Sequence, residues 1–111
     1  MIIVSAFIIG ISIKGVVSDK TVINVRGSLN YTVQREFKSI MVTLSGDPDK
    51  TVEVNLGAVD VIESSGLGIL ILLKESAAEG QKLRIVNASP VVLSVLKSAF
   101  LNEMYEIPQL A

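Results

Sequence analysis

The segment from Thr51 to Val86 constrains the fold more than any other part of the chain. Thr51-Val52-Glu53-Val54-Asn55-Leu56 alternates apolar and polar residues, the period of a strand with one buried face. Gly57 to Glu63 reads as a loop. Leu67 to Glu79 then has no proline and is rich in Leu, Ile, Ala, Lys and Glu, a composition that suits a helix. Gly80 stands where such a helix would stop, and Leu83-Arg84-Ile85-Val86 reads as the next strand. A strand, a single helix and a strand in succession imply a crossover between parallel strands, with the helix packed on the sheet. Its hand is expected to be right.

The rest of the chain extends this pattern. Residues 2 to 13 are nearly all apolar and rich in isoleucine, which favours a buried strand. The run stops at Lys14, short of the ~20 apolar residues that a membrane span needs. It also lacks the basic start and small-residue cleavage site of a signal peptide. Ile11 to Val17 continues this strand, with residues 1–10 an extra N-terminal strand or segment; a membrane-surface contact for Met1 to Ile9 is the alternative. Ser18-Asp19-Lys20 reads as a turn, and Thr21 to Arg26 as a second strand that Gly27 ends, paired with the first as a hairpin. Asn30 or Thr32 would cap a helix through about Ser45, with Val33, Phe37, Ile40, Met41 and Leu44 on one face. Gly46-Asp47-Pro48-Asp49 breaks it. Ser89-Pro90 opens a last helix, serine at the N-cap and proline at the first helical position. Val91, Val92, Val95, Leu96 and Ala99 would form its apolar face, and Met104 to Ile107 a short final strand. The fold class is therefore α/β: one domain over residues 1–111, with a mixed, mostly parallel sheet, an N-terminal β-hairpin and helices packed against it.

Composition removes several function classes. Ten basic against eleven acidic residues, with no Lys/Arg run, lack the electrostatic footprint of a nucleic-acid binder. The chain has no cysteine, hence no disulfide, thiol nucleophile or thiolate zinc site. It has no histidine either, which removes the usual general base and metal imidazole and excludes a Ser-His-Asp triad. A serine hydrolase with a lysine base (Lys74 or Lys97) is the remaining catalytic arrangement, and Lys74 lies well past the serines. The chain is expected not to be an enzyme, and to carry no metal or cofactor.

Glu63-Ser64-Ser65-Gly66-Leu67-Gly68 is the candidate site. The two hydroxyls fall at the start of the central helix, where unpaired N–H groups and the macrodipole tolerate an added anion. Capping alone accounts for a lone Ser-Ser-Gly, since serine is a favoured N-cap. Leu67, Ile69, Leu70, Ile71, Leu72 and Leu73 are more apolar residues than one helix stripe buries. Part of this surface is either covered by neighbouring helices or exposed as a partner surface, with Ile71 the outward candidate.

Four stretches together carry a family resemblance: Val25-Arg26-Gly27-Ser28-Leu29-Asn30, Val54-Asn55-Leu56, Glu63 to Gly68, and Asn87-Ala88-Ser89-Pro90-Val91-Val92 with Phe100-Leu101. In order and spacing they resemble the STAS domain, specifically bacterial anti-sigma-factor antagonists, over roughly Ile11 to Ile107. The resemblance implies a cytoplasmic partner-switching protein in transcription regulation. Its unphosphorylated form binds an anti-sigma factor that is also a serine kinase; phosphorylation of the first motif serine abolishes binding and a serine phosphatase restores it. Carried over by position, the phosphoacceptor is Ser64, with Ser65, its neighbour and expected cap, as the alternative acceptor. Asn30, Asp60, Glu63, Ser64, Ser65, Gly66, Leu67 and Ile71 are the expected partner contacts. ATP and magnesium would be bound by the partner kinase. Two positions depart from the family pattern: Glu63 replaces an aspartate and keeps its charge, and Asn30 stands where aspartate is common and supplies none. The alternative from another class is a STAS-like sensory or scaffold module that binds a small ligand or self-assembles, with Ser64 only a cap.

Overall fold

The computed structural model describes residues 5–6, 11–17, 20–29, 35, 37–38 and 51–110. Among the described residues, five strands form one sheet in the order β1 (Ser5–Ala6), β2 (Ile11–Val17), β3 (Lys20–Leu29), β4 (Thr51–Ile62) and β5 (Leu83–Val86). The first two junctions are antiparallel; β3, β4 and β5 run parallel. Helix α1 (Ser64–Ser76) links β4 to β5, and α2 (Pro90–Ser98) follows β5. The mixed α/β sheet with an N-terminal antiparallel section is thus the architecture that the alternation of patterns implies.

Alternation places the core. In β4, Val52, Val54 and Leu56 are buried and meet Ile69, Leu70 and Leu73 of α1 and Val92 and Leu96 of α2 in one apolar cluster. Phe37, one of three described helical residues between β3 and β4, is fully buried in the same cluster. Residues at the odd positions, Thr51, Glu53 and Asn55, turn to the opposite face. There Arg84 Nη1, directly across from Glu53, lies 3.4 Å from its Oε1. The C-terminal segment closes the core from the end. Leu101 and Tyr105 are buried, and the Tyr105 hydroxyl donates to the Leu70 carbonyl at 2.6 Å, tying this segment to α1. Burial pushes the Tyr105 phenol well above its ordinary range.

Several boundaries differ from those expected. The apolar N-terminal run is not one strand: Ser5–Ala6 folds back antiparallel on Ser12 and Ile11. Strand β3 passes through Gly27 to Leu29, with Gly27 at φ +78°, a conformation that glycine adopts without steric cost. The segment Gly57–Ile62, read as loop, is strand. Between Asn24 and Ser28 of β3, the paired stretch of β4 carries two extra residues. These bulges place Gly57 and Ala58 both outward and then Val59 inward, which destroys the period-2 signal. Helix α1 ends at Ser76 with Ala77 as C-cap, so Gly80 does not stop it; Gly80 serves the following turn at φ +81°. The final strand reduces to a single parallel bridge, Arg84 to Glu106. Val91 is exposed rather than part of the inner face of α2; Val92 and Leu96 carry that face. Asn30, Thr32, most of the expected helix to Ser45, and the turn positions Ser18, Asp19 and 46–49 lie outside the described residues.

Candidate functional site

Strands β3 and β4 end side by side, with Leu29 opposite Ile62, and the chain turns at once into α1. The Glu63 amide donates to the Leu29 carbonyl at 3.0 Å, fixing the turn. Gly66 is buried directly over Leu29. A Cβ there would be driven into the Leu29 backbone, its carbonyl carbon 2.7 Å away, and would stand 2.9 Å from Leu29 Cγ. The first turn of α1 therefore sits on the end of β3 at a distance that only glycine permits.

Seen down α1, the buried residues Gly66, Ile69, Leu70 and Leu73 recur at helical spacing and define the inward face. Ser64, Gly68 and Leu72, each four residues apart, occupy the opposite face. Ser64 is the first helical residue and is exposed, and its hydroxyl makes no hydrogen bond among the described residues. The N-cap is Glu63, not Ser65, and it makes no capping side-chain hydrogen bond. Ser65 as the cap is thus overturned: the chain turns one residue before the serines, so both hydroxyls lie inside the first turn. Ser65 is exposed beside Ser64, and Asp60 and Glu63 are exposed on the approach from β4.

The other expected contact residues divide. Gly66 is interior and Leu67 half-buried. Ile71 is half-buried, while its neighbour Leu72 is 41% exposed. Val61, on β4 just ahead of the helix, is 50% exposed. Asn30 lies outside the described residues. Ile71, expected as the outward residue of the helix, is thus less exposed than Leu72, which shares the face of Ser64 at i+8. Among the described residues no group of His, Cys, Asp or Glu is arranged to hold a metal ion. No described helix is long and apolar enough to cross a membrane.

A family model described as "Mlab, STAS domain" matches residues 15–107. The chain belongs to the STAS domain family. No curated protein matches the sequence of this STAS domain at a significant level. Solved structures share its fold at low identity. An anti-sigma factor antagonist from Mycobacterium paratuberculosis superposes with TM-score 0.73 at 17% identity, over 94% of this chain and 89% of that one. The Bacillus cell fate determinant SpoIIAA in its phosphorylated form gives 0.68 at 18%, over 88% and 90%. A sulfate transporter family protein from Wolinella succinogenes gives 0.70 at 19%, over 85% and 80%. The fold of this STAS domain is therefore one that anti-sigma factor antagonists adopt, and one that a transporter-family protein adopts as well.

Proposed function

We propose that this STAS domain is an anti-sigma-factor antagonist, a binding protein whose partner is an anti-sigma factor with serine kinase activity. The unphosphorylated form binds, phosphorylation of Ser64 releases the partner, and a serine phosphatase resets the switch. The observation that carries this reading is the state of Ser64: outward on the first turn of α1, exposed, and not used by the fold as a cap. A hydroxyl that caps a helix is needed where it is; this one has no such role, which supports its reading as a phosphate acceptor.

Electrostatics supports a switch that acts on the interface and spares the fold. A phosphoserine carries about −1.5 to −2 charges at neutral pH. The helix N-terminus favours that charge, and the first turn of α1 contains no acidic side chain to oppose it. On the outer surface the phosphate joins Asp60 and Glu63. A partner shaped to neutral Ser64 would then bury an unpaired anion, at a cost on the order of 4 kcal/mol, or about a thousandfold in affinity. ATP and magnesium belong to the kinase in this scheme, and the chain itself does no chemistry.

The test is co-purification from the native host, incubation of the recovered kinase and ATP with the protein, and mapping of the phosphosite. Phosphate on Ser64, absent from Ser64→Ala, with loss of binding on phosphorylation, is the expected result. Phosphate on Ser65 or elsewhere would remove Ser64 from the role. The fold shared with the sulfate transporter family protein favours a second reading, a STAS scaffold module without a phosphoswitch. Stable partner binding that is indifferent to Ser64→Asp would select it.

A further inference from the structure

The two glycines of the motif face opposite ways. Gly66 is required by the fold, because a side chain there collides with Leu29. Gly68 is not: a Cβ on it would meet nothing within 4 Å among the described residues. A glycine inside a helix weakens it relative to alanine, and nothing described inside this protein calls for one at position 68. Its place on the helix is informative. It lies one turn beyond exposed Ser64 and one turn before exposed Leu72, and is itself half-buried between them. Gly68 puts no side chain between the Ser64 hydroxyl and exposed Leu72 on that face.

Charge narrows what fits there. Asp60 is exposed ahead of the stripe, and Glu75 is exposed near its far end, next to Leu72 on the helix surface. Lys74 is the one basic residue of α1 and lies to the side. Resting on the proposed partner-switching function, we infer that Gly68 is the point of closest approach for the partner kinase. The kinase supplies an apolar ridge flanked by Lys or Arg, which seats over Gly68, covers Leu72 and answers Asp60 and Glu75. A phosphate on Ser64 then stands at the mouth of this contact.

Titration calorimetry of the unphosphorylated protein against the kinase recovered above, with thermal melting of each variant, tests the assignment. Gly68→Ala is expected to raise the melting temperature by roughly 4–8 °C. Gly68→Leu and Leu72→Lys are expected to melt no lower than the wild type and to bind at least about tenfold more weakly, a difference of 1.4 kcal/mol. Wild-type affinity is expected to fall as salt is raised, as an acidic surface meeting a basic one requires. If Gly68→Leu and Leu72→Lys bind like the wild type while Ser64 phosphorylation still releases the kinase, the contact lies elsewhere and only this inference falls. Wild-type affinity that does not change with salt overturns the basic ridge. Failure of the unphosphorylated wild type to bind the kinase overturns the function and this inference together.

Discussion

Helices α1 and α2 both begin with serine near the end of a parallel strand, and they use it in opposite ways. At α2, Ser89 is the N-cap: its hydroxyl accepts from the Val92 amide at 3.3 Å, its carbonyl accepts from Leu93 at 2.7 Å, and Pro90 opens the helix. At α1 the N-cap is Glu63 without a capping side chain, and Ser64 and Ser65 come one and two residues later. Helix α1 is held instead by its backbone, through the Glu63 amide on Leu29 and Gly66 seated over the same residue. A serine that caps is committed to the fold. With the turn one residue earlier and anchored through glycine, the Ser64 hydroxyl has no capping role. The same residue type at the same kind of junction thus caps one helix and not the other, and the proposed switch uses the serine that does not cap.

This contrast breaks most severely at Gly66. Gly66→Ala forces a methyl group into the Leu29 backbone and is expected to destabilise the fold by about 3 kcal/mol, the upper range for overpacking. Urea unfolding measures it, and a loss below about 1 kcal/mol would mean that α1 is not anchored through this contact. Next in size is the capping serine. Ser89→Ala is expected to cost about 1 kcal/mol in the same assay, because the Val92 amide loses its acceptor.

Smaller effects separate the two serines. Ser64→Asp places a carboxylate in the first turn of α1 and is expected to stabilise the fold by ~0.3–1 kcal/mol. Calorimetry should nevertheless show weaker kinase binding than for Ser64→Ala, and less loss than true phosphorylation causes, since aspartate carries one charge and lacks the phosphate's third oxygen. Equal affinities would take Ser64 out of the interface. Ser64→Ala is expected to change stability least, by under about 0.5 kcal/mol, as befits an exposed side chain without a structural role. A cost near that of Ser89→Ala would erase the distinction between the two helix starts.

Much of this was legible in the chain. The β–α–β pattern from Thr51 to Val86 announced the parallel sheet, because burial of one strand face imposes a period of two and burial of one helix stripe a period near 3.6. Ser89-Pro90 announced the start of α2, since capping and the fixed φ of proline are local effects. The change from alternating to helix-forming residues around Ser-Ser-Gly marked the start of α1 as well, although neither serine is its N-cap. What depends on contacts between distant residues was not legible. The two bulges that carry β4 on to Ile62 exist only in register with β3, so the segment looked like a loop. The N-cap fell on Glu63 because its amide is claimed by Leu29, which is 34 residues away in the chain. The two glycines two residues apart look alike on paper. Only packing against Leu29 makes Gly66 indispensable to the fold, while a Cβ on half-buried Gly68 would meet nothing among the described residues, because local sequence sets which backbone shapes are easy and the neighbouring element decides which atoms are within reach.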